Sequence, residues 1–394
     1  MTKPVAWNSK LAIIGLGALF VYILACTSFS PDDSKVLYIT MDPKTGMTAV
    51  AVYDRKSAKS DVLFEPPLSH DVTDPTAAKA AIMRPQWLDG GHNILAAWLP
   101  GGNDSEKPLN IAVLPFDRSS PARTFQLSGL GPDGGSGIYL WPLPVVGSSL
   151  FLNGSSNSIL RLNLETGEIH RQTNAQQLLL LPSPDNDRLF YLGGGDDPQS
   201  PGEFGLLNPE TFTRTPLFKI NDTNISEMSI VLSRDAKRLA YQPDDYPPRL
   251  VHLLESGQPA RTLSLASLGE STEVMIRCFS PGGDTLYGSF SDSSGGTNVA
   301  YGFVEIPLDG STIRKTTLIS DVEGGYKDMF ESFQIDVSHD GRTLAVESLW
   351  LGYSVHPIKA GDCALFLVDL AHPQHKITKV PIPLPPVDQP SPFK

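Results

Sequence analysis

Residues that could do chemistry are few in this chain, and their spacing says little. His372 and His375 in "HPQH" come nearest to a metal-binding pattern. Zinc needs three or four converging N, S or O ligands, and the pair is read without a third ligand beside it, so no metal is expected. The acidic doublets Asp196-Asp197 and Asp244-Asp245 offer oxygens for Ca²⁺. Neither has the alternating acidic spacing of a preformed calcium loop, and they read as solvated acids. Only Cys26, Cys278 and Cys363 are present, which excludes a disulfide framework. Cys278 and Cys363 are expected on strands too far apart to bridge, as two buried thiols. Trp350, Tyr353 and His356 share one long stretch (residues 348–362) and form the candidate binding loop. No G-x-S-x-G elbow and no phosphate-cradling Gly-rich loop occurs. No catalytic residue is assigned and no cofactor is expected.

The N-terminus carries an address. Lys3 and Lys10 precede an apolar run from Leu11 to Ala25, interrupted only by Tyr22, which is the layout of an export signal. The run ends Ile23-Leu24-Ala25-Cys26, which resembles a bacterial lipobox and makes Cys26 the expected lipidation site. Leu24 is larger than the residue that position usually holds. The alternatives are an uncleaved anchor, since Leu11 to Phe29 at about 1.5 Å per residue is just long enough to span a bilayer, and simple cleaved secretion. All three place the rest of the chain outside the cytoplasm, the lipid-anchored form in the periplasm or on the cell surface.

Elements able to position a site are repeated along the chain. "SPDDSKVLYIT" (Ser30–Thr40) returns as "WLDGGHNILAAW", "PSPDNDRLFYLG", "LSRDAKRLAYQ", "FSPGGDTLYGSF" and "VSHDGRTLAVES", with a degenerate copy in "PVVGSSLFLNG". Each reads as an apolar strand, a Ser-Pro-Asp-Gly type turn and a second strand. Aligned on the apolar pair after the turn, the copies fall at Leu37, Ile94, Leu150, Leu189, Leu239, Leu286 and Leu344. A third strand follows in every copy, as in "TAVAVYD" and "ALFLVDL", and then a polar fourth such as "KITKV". Four short antiparallel strands repeated seven times predict an all-β fold, a β-propeller of seven four-stranded blades. Only Thr27 to Phe29 are left for the inner strand of the first blade, so that blade is expected to be incomplete or irregularly closed. The expected domains are residues 1–26 as signal or anchor, 27–380 as propeller and 381–394 as a Pro-rich tail.

The repeat line resembles that of TolB-type and prolyl-oligopeptidase-type propellers, whose blades carry a W/F-S-P-D-G hairpin. The resemblance is to the blade, and the hydrolase domain of the second group has no counterpart here. TolB-like proteins imply protein partners in the cell envelope. Net charge is −12, and the first 25 residues hold two lysines and no acid, which counts against nucleic acid as a partner.

In each blade, with strands lettered a to d from the axis outward, the a–b and c–d turns must lie at one end of the ring. The b–c loops and d-to-a crossovers lie at the other. The long insertions, among them residues 99–108, 193–202, 242–249, 291–298 and 348–362, are all read as b–c loops, where binding is expected. The expected function is an envelope-anchored, monomeric, non-catalytic interaction scaffold. The alternative is a hydrolase or lyase acting on polysaccharide or peptide fragments at the channel mouth.

Overall fold

The computed structural model describes residues 27–41, 48–66, 80–100, 108–128, 130, 143–154, 158–173, 178–183, 185–193, 202–220, 225–243, 249–295, 298–323, 333–348, 364–372 and 374–382. These form seven four-stranded antiparallel sheets arranged as a ring, a seven-bladed β-propeller. Blade 1 is Ser28–Phe29, Lys35–Met41, Thr48–Asp54 and Lys59–Phe64. Blade 2 runs Ala80–Leu88, Asn93–Pro100, Leu109–Pro115 and Arg123–Leu127, and blade 3 Val145–Val146, Ser149–Gly154, Ser158–Asn163 and Ile169–Gln172. Blade 4 is Leu179–Pro182, Leu189–Gly193, Gly202–Leu207 and Arg214–Ile220, and blade 5 Ile225–Leu232, Arg238–Pro243, Leu250–Glu255 and Arg261–Ser264. Blade 6 is Thr272–Phe279, Thr285–Gly295, Asn298–Pro307 and Arg314–Glu323. Blade 7, at Phe333–Val337, Thr343–Ser348, Ala364–Asp369 and Lys376–Pro381, completes the ring.

The recurring serine explains why the turn motif repeats. In five blades its hydroxyl donates to a turn aspartate: Ser30 to Asp32, Ser183 to Asp187, Ser233 to Asp235, Ser280 to Asp284 and Ser338 to Asp340. The same oxygen accepts the backbone N–H five residues on, from Lys35, Arg188, Arg238, Thr285 and Thr343. One buried hydroxyl thus closes each a–b hairpin. Arginine then joins hairpins of neighbouring blades: Arg238 of blade 5 donates to the Gly283 carbonyl of blade 6 at 2.7 Å. Gly283 has φ +71°, and a Cβ there would meet the same guanidinium at 2.7 Å, so the stitch requires glycine.

Strand pairing corrects the repeat alignment at its first copy. Phe29 pairs with Val36, as Pro182 pairs with Leu189 and Phe279 with Leu286. The structural equivalent is therefore Val36, not Leu37. Both are fully buried between blades, which is why their identities could not fix the register. A second correction concerns residues 291–295 and 298, which are strand rather than loop. Strand b of blade 6 continues through Ser291 and Asp292, opposite Tyr301 and Ala300, and Gly295 still pairs with Asn298.

Apolar clusters fill every gap between blades. The one containing Phe29, Trp87, Ile94, Ala345, Leu367 and Ile382 joins blades 7, 1 and 2. Blade 1 has all four strands, but its inner strand is two residues long, and blade 3 shares that economy.

Candidate functional site

The inner edge of every propeller blade carries backbone N–H and C=O groups that no fifth strand can take. Left buried and unpaired, each costs about 1–3 kcal/mol. Here side chains from the preceding blade take them. Gln242, fully buried on strand b of blade 5, donates to the Val274 carbonyl at 3.0 Å and accepts the Ile276 N–H at 2.9 Å. Asn153 of blade 3 donates to the Leu178 carbonyl of blade 4 at 2.6 Å, and Gln86 of blade 2 to the Leu143 carbonyl of blade 3 at 3.1 Å.

At the joint between blades 7 and 1 the same work falls to carboxylates. Asp336 on the inner strand of blade 7 accepts the Phe29 N–H at 2.9 Å on one oxygen and the Val337 N–H at 2.9 Å on the other. Glu347, fully buried on strand b, accepts the Ile39 N–H at 3.2 Å. Asp33 completes the closure from blade 1. It accepts backbone N–H groups of His339 at 2.8 Å and Asp340 at 3.0 Å, and its Oδ1 lies 2.8 Å from His339 Nδ1. Arg55 of blade 1 bonds Thr343 Oγ1 of blade 7 at 2.6 Å. Asp336 is half-buried on the inner strand, and desolvation there pushes its carboxyl above the ordinary value despite the two N–H bonds and the influence of His339 and Arg234.

A second charged cluster sits at the b–c end, where the crossover from blade 5 to blade 6 is described. Asp292 accepts from Ser271 Oγ at 3.0 Å and from the Ser294 N–H at 2.9 Å, and pairs with Lys315. Burial alone would raise this carboxyl. The Lys315 ammonium, Ser294 and Ser271 outweigh it and hold the group well below its ordinary value. Ser293 N–H bonds the Ser271 carbonyl at 3.1 Å, so the crossover is tied to the end of strand b.

The residues singled out from sequence fare unevenly. Cys26 lies outside the described residues, as do Trp350, Tyr353 and His356, Cys363 and both acidic doublets. Cys278 is on the inner strand of blade 6 as expected. It is a free thiol with some exposed surface rather than a fully buried one, and desolvation raises its pKa well above the ordinary value. The histidines of "HPQH" do have acids beside them, contrary to expectation. His372 Nε2 is 3.6 Å from Asp369, and His375 Nε2 is 2.8 Å from Glu305 of blade 6. They engage different partners, and among the described residues no group of three potential ligands gathers. Among the described residues no helix is long and apolar enough to cross a membrane.

Asp336, Glu347 and Asp292 were not anticipated, although the repeat contains the signal for the first two. Asp336 stands two residues before its hairpin serine, where other copies have Leu181, Val231 and Cys278. Glu347 stands nine after it, in the place of Gln242. A charge at a buried register position of a repeat marks a joint.

No protein-family model matches this chain, and no curated protein matches its sequence. Solved structures do match. KlAtg21, in a complex with the coiled-coil of AgAtg16, is 10% identical with a TM-score of 0.55, covering 92% of this chain and 99% of that one. TolB from Acinetobacter baumannii is 13% identical with a TM-score of 0.43, over 73% of this chain and 65% of that one. A prolyl endopeptidase is 14% identical with a TM-score of 0.49, over 84% and 47%. The chain thus spans just under two thirds of the TolB chain and about half of the endopeptidase. Both groups whose repeat line it resembles are among the neighbours, and at these identities the likeness is one of fold.

Proposed function

We propose that this protein is an extracytoplasmic β-propeller, held to the cell envelope by its N-terminus and serving as a non-catalytic, monomeric docking scaffold for envelope proteins. One observation carries this reading. The carboxylates most strongly perturbed or most deeply buried at the joints, Asp336, Glu347 and Asp292, are bonded to backbone or to a neighbouring cation. Asp336 and Glu347 join blade 7 to blade 1 and Asp292 ties the incoming crossover to blade 6, and the three do not converge on a shared open point, as acid–base or metal chemistry needs. KlAtg21 was solved with a bound coiled coil, and docking of a protein segment on a ring is the role carried over here.

Attachment is tested at Cys26. With Cys26 lipidated, Cys26→Ser leaves the signal uncleaved and abolishes palmitate labelling; normal processing of the variant sinks the lipid assignment. Scaffolding is tested by cross-linking in intact envelopes beside assays on polysaccharide and peptide fragments. Reproducible cross-links without turnover support the proposal. Turnover by the purified ring overturns it in favour of a hydrolase or lyase.

A further inference from the structure

Each blade ends in an outer strand d whose far edge is covered by no further strand among the described residues. Such an edge can take an extended segment of another protein as an added strand. We propose that the edge of blade 7 is a site of this kind, and that its occupant is an extended partner segment with an acidic residue two places from an apolar one. This names the partner chemistry of the docking role proposed above and rests on that reading.

Strand register fixes which backbone groups face out. In blade 7 the Leu370 N–H bonds the Arg342 carbonyl at 2.8 Å, so Leu370 points toward strand b. Successive residues point to opposite sides, so Asp369, Leu367 and Leu365 point to strand d, where they meet Lys376, Thr378 and Val380. The N–H and C=O groups of Ile377 and Lys379 are left directed away from the blade. The same alternation turns the Val62 carbonyl outward in blade 1, and there Arg118 of blade 2 takes it at 2.8 Å. The outer strands of blades 1, 4 and 6 are interrupted by register shifts, and that of blade 4 contains Pro216. Those of blades 3 and 5 have four residues each and that of blade 2 five. Lys376–Pro381 runs six residues in unbroken register. Blade 7 thus lacks the bulge, the mid-strand proline and the brevity that blunt the other edges.

Side chains on this edge select the occupant. Ile377 is 41% exposed. Lys379 shares its face, two residues on, with Nζ 5.5 Å from the centre of the Phe366 ring. The ammonium is drawn back over the blade instead of guarding the edge. Neither Lys376 nor Lys379 has an ion-pair partner among the described residues, and no acid lies between His375 and Ile382. In a chain of net charge −12 this stretch is purely cationic. A strand laid along it sets one residue opposite Ile377 and another, two places away, opposite Lys379. An apolar and an acidic residue there make favourable cross-strand pairs, while a basic residue opposite Lys379 is repelled. A second copy of this chain would bring four lysines and no acid to one edge, so the occupant is a different protein.

The test uses the purified full chain and a labelled, capped peptide with the core Val-Glu-Thr-Val-Glu, followed by fluorescence anisotropy. Laid antiparallel, this core sets glutamates opposite Lys379 and Lys376 and a valine opposite Ile377. A second peptide has lysine in place of glutamate. Ile377→Pro removes an outward N–H without breaking the ladder to strand c. Thr124→Pro makes the same change at an outward position of blade 2. The acidic peptide is expected to bind saturably, Ile377→Pro to weaken it about tenfold or more with the thermal midpoint retained, and Thr124→Pro to leave it unchanged. Lys379→Glu, which keeps the backbone intact, should transfer the preference to the lysine peptide. No saturable binding of the acidic peptide, equal losses in the two proline variants, or no change of preference in Lys379→Glu overturns the proposal. So does a two-chain mass by light scattering that Ile377→Pro reduces to one. In intact envelopes, cross-links that persist in Ile377→Pro overturn this edge as the dock and leave the scaffold standing. Turnover by the purified ring overturns the scaffold whichever way the peptide behaves.

Discussion

Two joints of the ring meet the same need with different chemistry. Between blades 5 and 6 a neutral amide, Gln242, serves the eight-residue inner strand Thr272–Phe279. Between blades 7 and 1, Asp336 serves an inner strand of two residues through the Phe29 N–H, and Glu347 serves Ile39 on strand b beyond its end. At the first joint the ladder does most of the holding and the side chain finishes it. At the second there is little ladder, and charged side chains with Phe29 replace it. Many rings could close by sharing a strand between first and last blades. In the described residues each blade is built from consecutive strands, so closure rests on side-chain contacts, these together with Asp33, Arg55 and the apolar cluster between the blades, rather than on a shared strand.

The largest effect should come from removing the apolar anchor on the short side. Phe29→Ala is expected to cost about 3–5 kcal/mol, the usual range for a buried phenylalanine. Phe29 is buried against the joint, with the Arg55 guanidinium 5.6 Å from its ring centre. Phe279→Ala removes an equivalent ring from a strand held by seven other residues and should cost less. Equal shifts in denaturant midpoint would show that strand length does not distinguish the joints.

Next comes the amide. Gln242→Leu keeps the volume roughly constant but strands the Val274 carbonyl and the Ile276 N–H, for an expected loss of about 2–4 kcal/mol. Glu347→Gln sharpens the comparison by making the closure resemble the other joint, since an amide oxygen can still accept the Ile39 N–H. Its expected change is within about 1 kcal/mol. A collapse of that variant would show that the charge itself is needed for closure.

A smaller and more local effect is expected at the b–c end. Lys315→Met leaves Asp292 buried without its cation and should cost about 1–3 kcal/mol, discounted from a fully buried pair because Lys315 is partly exposed. Hydrogen exchange should quicken in residues 265–271 and 292–295 while the closure joint stays protected. Uniform quickening across the ring would show that the crossover is not an independent unit.

Much of this architecture was legible in the sequence because an apolar pair after a turn recurs seven times, five of them with a hairpin serine and a turn aspartate. "TAVAVYD" is a strand from end to end, as its alternation predicts. What escaped was information held between copies. Val36 and Leu37 are both apolar because both faces of a blade are covered, so polarity could not set the register. "SDSSG" reads as loop by composition, yet it is a strand end because Asp292 finds Lys315 of the same blade and Ser271 at the end of the incoming crossover. The carboxylates of the closure were visible only as exceptions within an aligned repeat. Cys26, Trp350, Tyr353 and His356 remain proposals from sequence.

The most discriminating comparison of the two charged joints uses pH, because their carboxyls are shifted in opposite directions. Burial raises Asp336 above the unfolded value of about 3.9. The folded ring therefore holds that proton at pH values where the unfolded chain has lost it. Its contribution is complete below about pH 3.9 and is lost as pH rises through the raised folded value. Asp292 is lowered, so its contribution is present above about pH 3.9 and is lost as pH falls through the lowered value. Lowering the pH from 7 toward 4 should then tighten the closure and leave the crossover unchanged, while going below 4 should loosen the crossover. Asp336→Asn keeps an acceptor for Phe29 N–H but turns its NH₂ toward Val337 N–H, and it no longer titrates. Its deficit relative to the unmodified protein, read from thermal midpoints, should therefore be larger near pH 4 than at pH 7. A deficit that is constant across this range would mean that Asp336 carries no proton into the fold, and the two joints would then differ in geometry but not in charge.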